Sequence, residues 1–378
     1  MQIYVVKQGD TVDSIGAEFA VPIDRIIYDN QLVYPYPLAV GQALLIREGN
    51  ETGGERPVIT NGYAYTFIRP WVLQATLPYL SELSIFSYGF TTEGNLVPPQ
   101  LDDTWMIRLA LDYNTRPILT LTPLDEYGRF NNNLIHVMVQ DNTVRANLIR
   151  QLILIMDEKN YSGVDVDFEY ILAEDRDAFA EFVSVLREEM NNRGYSVSVA
   201  LAPKVSANQP GLLYEGKDYG QLGAAANWVL LMTYEWGYTY GPPMAVAPLP
   251  NVRRVVEYAV TEIPVEKINL GIPNYGYDWP LPYERGVTAA QTIGNIEAVD
   301  IAIANGAEIQ YDEIAQSPYF YYTLNGIEHV VWFEDVRSMQ AKFSLVSDYD
   351  LRGVGYWQIM KLFRANWLLL AQEFYIVK

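Results

Sequence analysis

The strongest constraint on the fold is a repeated alternation of strand-like and helix-like segments between residues 58 and 378. Runs rich in β-branched and aromatic residues recur along this stretch, and apolar residues at helical spacing separate most of them. The predicted strands are Val58–Phe67, Leu83–Phe90, Pro117–Leu121, Gly163–Glu169, Ser196–Leu201, Trp228–Tyr234, Ile268–Tyr275 and Gly353–Trp357. The predicted helices include Thr104–Tyr113, Val144–Lys159, Asp175–Arg193, Val252–Glu262, Val336–Val346 and Leu362–Phe374. About eight strand–helix units predict an α/β fold, a TIM (β/α)8 barrel, whose active site lies at the C-terminal ends of the strands.

The interval between the seventh and eighth predicted strands is much longer than the others. It contains aromatic, strand-like pieces at 309–311, 319–322 and 330–333. We interpret residues 277–334, approximately, as a small α+β insertion that forms one wall of a cleft. A surface hairpin with no role in the site is the alternative.

Within the fourth predicted strand, apolar and acidic residues alternate strictly. The apolar set is Val164, Val166 and Phe168, and the acidic set is Asp165, Asp167 and Glu169. Alternation sends the acids to one face, where neighbours lie roughly 6–7 Å apart. Carboxylates at this spacing repel one another, so we expect at least one to hold its proton near neutral pH, as a general acid requires.

Taken alone, the acidic row has three interpretations. It is the solvated face of an antiparallel sheet, a binding site for a divalent cation, or a catalytic carboxylate set. Helical patterns on both sides of the strand, at 144–153 and 179–190, favour a parallel sheet that is buried on both faces. Acids in such a strand are not merely solvated, which favours a functional role.

Composition narrows the classes of partner. The net charge of −20 argues against nucleic acid or anionic lipid, and without a run of about 18 apolar residues we expect no membrane span. The chain has no cysteine, and His136 and His329 are too far apart in sequence to form a ligand-spaced pair. Its 29 tyrosines suit stacking on sugar rings.

Residues 1–47 form a separate unit with a strand–helix–helix–strand pattern. The first strand contains Ile3–Val6, a turn at Gly9 and Asp10 precedes the first helix, and a second strand spans Leu38–Ile46 around a turn at 41–42. So small a unit has few hydrophobic residues with which to build a buried site, so we predict a binding module. The polar, glycine-rich residues 48–57 are predicted to be a linker to the domain at 58–378.

The module resembles the LysM family in three motifs. These are Tyr4-x-Val6-x-x-Gly9-Asp10-Thr11, Asn30-Gln31-Leu32 and Val40-Gly41-Gln42-x-Leu44-x-Ile46. The resemblance implies binding of glycans that contain N-acetylglucosamine, such as peptidoglycan and chitin. By position, the glycan contacts would be Gly9, Asp10, Thr11 and the stretch around Asn30, although Gly9 and Asp10 also suit a turn and a helix cap.

The larger domain resembles glycoside hydrolase family 18. Ser162-Gly163-x-Asp165-x-Asp167-x-Glu169 is similar to that family's Asp-Gly-x-Asp-x-Asp-x-Glu signature. The segments 231–235, 270–276 and 353–357 are similar to its sixth, seventh and eighth strands.

The resemblance implies substrate-assisted hydrolysis without a metal or other cofactor. Glu169 would be the general acid and then the base, Asp167 would hold the acetamido N–H of the substrate, and Asp165 would tune Asp167. Tyr234 would donate its hydroxyl to the acetamido carbonyl. The other implied substrate contacts are Met232, Glu235, Trp236, Tyr275 and Trp357.

Several positions depart from the family pattern. Ser162 and Glu235 stand where aspartate is usual, and Phe168 stands where tryptophan is common. The third strand lacks a Ser-x-Gly-Gly segment, which argues against chitin as the substrate. Trp236, Tyr238 and Tyr240 follow the sixth strand and either line sugar subsites or form a packed, rigid loop.

Together, the two parts resemble the spore cortex-lytic N-acetylglucosaminidases of endospore-forming bacteria. The leading hypothesis is an N-acetylglucosaminidase that cleaves peptidoglycan, with a chitinase and a catalytically silent glycan-binding lectin as alternatives. We expect a monomer. Because no classical signal peptide is visible at the N-terminus, we also expect the protein to be made in the mother-cell cytoplasm and to become associated with the spore, or otherwise with the cell wall.

Overall fold

A computed structural model describes residues 1–49 and 53–378. The N-terminal module contains antiparallel strands Gln2–Val5 and Ala43–Ile46 and helices Val12–Phe19 and Ile23–Asp29. The predicted strand–helix–helix–strand order is therefore confirmed. The second strand begins at Ala43 rather than near residue 38. Residues 39–42 form a turn instead, in which the Gln42 backbone N–H donates to the Ala39 carbonyl.

Eight parallel strands close into a barrel, which confirms the predicted fold class. Closure is made by pairing of the first strand with both the second and the eighth, with Asn61 opposite Glu82 and Ile59 opposite Gly353. The barrel strands are Pro57–Tyr65, Glu82–Phe90, Arg116–Leu121, Gly163–Val166, Ser196–Leu201, Trp228–Leu231, Ile268–Pro273 and Gly353–Trp357. The fourth and sixth strands end earlier than predicted, so Glu169 and Tyr234 lie just beyond their C-terminal ends.

Helices surround the barrel. Those that match the predictions are Thr104–Asp112, Asn142–Lys159, Arg176–Asn191, Leu249–Glu262, Val336–Asp348 and Arg364–Glu373. Further helices at Pro70–Thr76, Asn133–Gln140 and Tyr219–Ala225 were not predicted. Each of these is only seven or eight residues long, too short for a strong periodic pattern. Within the described residues, no helix is both long and apolar enough to cross a membrane.

Alternation in the fourth strand places its two sets of side chains as predicted. Val164 and Val166 are buried in the main hydrophobic core. Phe168 packs against Phe179 and Phe182 of the helix Arg176–Asn191, with ring centroids 5.7 and 6.2 Å away. Packing of the apolar side against a helix forces the acids to the inside of the barrel.

The segment between the seventh and eighth strands is an α+β insertion, as predicted. Its antiparallel strands are Gly276–Pro280, Gln291–Ile293, Gln310–Asp312, Ser317–Leu324 and Ile327–Trp332, and its helix is Asn295–Ala304. A small core of its own holds it together, and Ala39 of the N-terminal module contributes to that core.

The module is docked on the larger domain. The Ile309 amide of the insertion donates to the Val40 carbonyl over 2.9 Å, and the Arg337 guanidinium donates to the Gly41 carbonyl. The Arg364 guanidinium lies 4.0 Å from the ring centroid of Tyr28 and donates to its carbonyl. These contacts fix the module against the insertion and the last helix.

The predicted linker, residues 48–57, falls partly on 50–52, which lie outside the described residues. Near its C-terminal end, Arg56 donates to the carbonyls of Val346 and Leu351. Barrel pairing begins at Pro57. The domain boundaries stay a prediction.

We predict that Gly41→Ala loosens the docked module. Gly41 has a φ of +84°, and a Cβ there would lie 1.8 Å from the Ile309 carbonyl oxygen. Gly306→Ala is the control, because Gly306 also has positive φ but has open space around a Cβ. The backbone cost of about 1 kcal/mol is common to both, so Gly41→Ala should lower the urea midpoint further. Equal midpoints for the two variants would contradict the docking contact.

Candidate active site

An open cleft of about 550 Å³ lies at the C-terminal ends of the barrel strands. Asp167 and Glu169 reach it from the end of the fourth strand. Aromatic side chains dominate its walls: Tyr63, Tyr65, Phe86, Phe130, Tyr170, Tyr214, Tyr234, Trp236, Tyr238 and Trp357. Aromatic faces beside carboxyl groups suit a ligand that has both apolar ring faces and polar substituents, as a sugar does.

Asp165 is the deepest of the three acids and is completely buried. One carboxylate oxygen accepts a hydrogen bond from the Tyr63 hydroxyl over 2.8 Å, and the other accepts from the Ser198 hydroxyl over 2.6 Å. Burial raises the pKa of Asp165 to about 6, although both hydrogen bonds act in the opposite direction by stabilising the charged form. Asp165 is therefore held in place and titrates near neutral pH.

Asp167 lies between Asp165 and the open cleft. Its backbone amide donates to the Leu121 carbonyl of the third strand over 2.9 Å, but its Oδ1 atom is buried without a hydrogen-bond partner. Burial, and then the negative charges of Glu169 and Asp165, raise the pKa of Asp167 well above its ordinary value. The pKa of Asp167 is thus shifted in the direction that the spacing of the row predicts.

Glu169 is the outermost acid and is exposed to the cleft. Its backbone carbonyl accepts a hydrogen bond of 2.5 Å from the Lys217 ammonium group. The buried ring of Phe168 fixes the preceding residue, so the backbone of Glu169 is held on both sides. A carboxyl group on an anchored backbone with access to the cleft can exchange protons with a bound molecule. Among the described residues, no cluster of three or more acidic, histidine or cysteine side chains is arranged to hold a metal ion.

Tyr234, Met232 and Trp357 all line the cleft. Burial and the neighbouring carboxylates, with Asp167 first among them, raise the pKa of Tyr234 well above its usual range, so its hydroxyl remains a hydrogen-bond donor. Trp357 packs against Phe86 and Tyr63, with centroid distances of 5.2 and 5.8 Å. These rings form the apolar floor of the cleft.

Glu235 projects into the cleft from the residue after Tyr234, where the backbone has a φ of +67°. Its carboxylate accepts hydrogen bonds from the hydroxyls of Tyr275 and Tyr277, the latter over 2.9 Å. Burial and the charge of Glu169 raise the pKa of Glu235, and the two tyrosines oppose that shift. Tyr275 is buried and lies behind Glu235, so it acts on the cleft through that carboxylate.

The insertion does not form the wall of this cleft that we expected. The side chains of the cleft walls belong to the barrel strands and their following loops. The insertion reaches the site through Tyr277, which holds Glu235 from behind. Its core instead includes Ala39 of the N-terminal module, and the Ile309 amide donates to the Val40 carbonyl.

The loop after the sixth strand supplies Trp236 and Tyr238 to the cleft, whereas Tyr240 is two-thirds exposed outside it. The Trp236 amide donates to the Val246 carbonyl, and the Trp279 indole donates to the Gly241 carbonyl. The loop is therefore both anchored and part of the cleft, so the two interpretations of it are compatible.

Residues of the predicted glycan contact in the module have structural partners. Asp10 accepts from the Tyr4 hydroxyl and the Lys7 amide, both at 2.7 Å, and Thr11 caps the first helix. Gly9 occupies the turn with a φ of +89°. The buried Asn30 side chain bonds to backbone atoms of Leu45 in both directions. The loop that follows Asn30 lines a second cavity, of about 170 Å³, shared with the insertion.

Several site residues were missed by sequence reasoning. Tyr63 and Tyr65 alternate in the first strand, and this period of two with aromatic residues was an available signal. Ser198 alternates with buried valines in the fifth strand in the same way. Lys217 lies in a long loop where no pattern marks it.

Comparison with known proteins gives a consistent result. The family model "Glycosyl hydrolases family 18" matches residues 128–361, and the LysM domain model matches residues 4–47. The chain is 36% identical to the cortical fragment-lytic enzyme of Bacillus subtilis (strain 168), over 100% of this chain and 99% of that protein.

Solved structures agree. The spore cortex-lytic enzyme SleL of Bacillus cereus matches with a TM-score of 0.93 and 30% identity, over 100% of this chain and 99% of that one. A chitinase from Chromobacterium violaceum ATCC 12472 shares the fold, with a TM-score of 0.77 and 24% identity over 84% of this chain and 98% of that one. The chain therefore belongs to glycosyl hydrolase family 18 and is a glycoside hydrolase that carries a LysM module.

Proposed function

We propose that this hydrolase cleaves spore-cortex peptidoglycan at β-1,4 bonds that follow N-acetylglucosamine, with retention of configuration. The observation that carries the proposal is Glu169 in an aromatic cleft above Asp167, a carboxyl group that favours its proton. The similarity to the cortical fragment-lytic enzyme supports spore cortex as the substrate. The LysM module supports a polymeric glycan.

In the first step, Glu169 donates its proton to the glycosidic oxygen as the bond between that oxygen and the anomeric carbon breaks. The acetamido oxygen of the same sugar attacks the anomeric carbon, which gives an oxazolinium ion and releases the alcohol. An unprotonated oxygen of Asp167 accepts a hydrogen bond from the acetamido N–H, whose nitrogen carries part of the positive charge of the oxazolinium ion. Tyr234 donates its hydroxyl to the acetamido oxygen and orients it for attack.

In the second step, Glu169, now a carboxylate, removes a proton from water. The water oxygen bonds to the anomeric carbon, the bond to the acetamido oxygen breaks, and Glu169 regains its proton. Two inversions at the same carbon give net retention. The ring face of the sugar would lie on Trp357, whose indole is fixed by Phe86 and Tyr63.

The first prediction of the proposed function concerns the reaction products. With purified cortex as substrate, mass spectrometry should detect muropeptides with N-acetylglucosamine at the reducing end. Release of fragments with muramic acid at the reducing end would contradict the proposed bond. Cleavage of chitin oligosaccharides alone would indicate a chitinase, and binding without cleavage would indicate a lectin.

The second prediction concerns the proposed general acid. Glu169→Gln should lower kcat by about 10²–10⁴-fold, because the amide cannot transfer the proton. Glu174→Gln, an exposed glutamate five positions along the same segment, is the control and should retain activity. Near-normal turnover by Glu169→Gln would rule out Glu169 as the acid.

The third prediction concerns pH and stability. The pKa of Asp167 is raised in the folded state, so its contribution to stability is present below the unfolded value near 3.9 and is lost as pH rises towards the folded value. Asp167→Asn does not ionise, so its melting temperature should exceed that of the wild type by a margin that grows from pH 4 to pH 7.5. The exposed Asp112→Asn serves as control. A margin that is constant with pH would show that Asp167 ionises freely in the folded protein.

A further inference from the structure

Lys217 is a fully buried cation beside the catalytic row. It lies in the loop between the fifth barrel strand and the helix Tyr219–Ala225. Its ammonium group donates a 2.5 Å hydrogen bond to the Glu169 backbone carbonyl. The preceding Gly216 lies so close to the chain after Glu169 that a Cβ there would lie 2.2 Å from the Ile171 carbonyl oxygen. The loop that carries Lys217 is therefore packed closely against the segment that carries Glu169.

The buried ammonium group of Lys217 is stabilised by nearby negative charges rather than by a direct ion pair. No carboxylate of the described residues lies within ion-pair distance of its Nζ atom. Burial lowers the pKa of Lys217 to about 8, while the charges of Glu169 and Asp167 act to raise it and Lys204 acts to lower it. Conversely, Lys217 is the cation that acts to lower the pKa of Asp167. The lysine and the acids thus favour each other's charged forms, although no direct ion pair joins them.

The other ionisable side chains of the cleft do not supply a positive charge in place of Lys217. Burial raises the pKa of Tyr63, Tyr65, Tyr170 and Tyr234, which keeps these tyrosines neutral. Two more acids, Asp165 and Glu235, add negative charge to the cleft. On the loop side, the Lys204 ammonium is held by the carbonyls of Lys217 and Ala207, and Asp218 caps the following helix.

We propose that Lys217 is a positioning residue for the general acid, whose ammonium group both holds the Glu169 backbone and sets the pH range in which the carboxylate row works. The proposal rests on the assignment of Glu169 above. Removal of the positive charge favours the protonated form of Asp167, so the pKa of Asp167 rises further. Loss of the hydrogen bond also frees the backbone of Glu169 to move from its productive position.

Lys217→Met tests both parts, because methionine fills much of the same volume without charge or donor. The pH profile of kcat/KM on cortex fragments should move upward by about one unit. At pH 7, kcat/KM should fall by on the order of 10²-fold. Lys267→Met is the matched control, since Lys267 likewise donates to backbone carbonyls, those of Gly223 and Ala226, but at the opposite end of the barrel. The Lys267→Met variant should leave the pH profile of kcat/KM unchanged.

A fall in kcat/KM without a shift of the profile would overturn the proposal, because a merely structural lysine would behave in that way. An unchanged Lys217→Met would overturn it as well. If that variant does not fold, as judged by its melting temperature, Lys217→Gln keeps a donor but no charge and should give the same shift. If Glu169→Gln were active, the general-acid assignment would fail, whereas a shift in Lys217→Met would still report the charge acting on Asp167.

The wild-type protein offers a test without any change at the site. An NMR titration of the lysine side chains should find Lys217 protonated at pH 6 and deprotonating near pH 8, its pKa being about 8. Lys378, whose pKa is also lowered to about 8, is distinguished by its loss in Lys378→Arg. A neutral Lys217 at pH 6 would overturn the proposal.

Discussion

The cost of burying two of three neighbouring carboxyl groups is the constraint on which the rest of the site depends. An isolated buried carboxylate is highly unstable, so each acid must be hydrogen-bonded, neutral or exposed to solvent. Asp165 receives two hydroxyl donors, from Tyr63 and Ser198. The raised pKa of Asp167 favours its neutral form. Glu169 is exposed to the open cleft. The three acids therefore differ in burial, from the fully buried Asp165 to the exposed Glu169.

Burial of the acids lowers the stability of the folded protein but shifts their pKa values. A carboxyl group whose pKa is raised by burial destabilises the folded protein at neutral pH, and a sequence selected only for stability would place an amide or an apolar residue there. The barrel tolerates the cost because its apolar packing is extensive. Phe168, between two of the acids, is buried in a cluster of aromatic rings with Phe90, Phe179 and Phe182. The same strand thus anchors the helix layer on one side and presents the acids on the other.

The N-terminal module is part of this architecture rather than a tethered appendage. Backbone contacts between Val40 and Ile309, and the packing of Arg364 on Tyr28, give it one orientation relative to the barrel. If the module holds the glycan, that glycan would reach the cleft along a restricted direction, because a rigid connection limits the geometries that a flexible one would sample. The insertion contributes to this docking through Ile309 and does not line the cleft.

The alternation of residues 164–169 determined, by itself, that these residues form a strand with acids on one face, because side chains alternate in any strand whatever surrounds it. The repeated strand–helix pattern likewise determined the barrel, and the motifs selected the acidic row, Tyr234 and Trp357 as candidate site residues. Only the tertiary structure decided the partners that control those residues. Tyr63 lies 102 positions from Asp165, and Lys217 lies 48 positions from Glu169. Closure of the barrel brings such distant residues into contact, and the resulting burial and charge set the pKa values. Local sequence patterns contain no information about distances between separate strands, so sequence reasoning predicted the acids but not the residues that surround them.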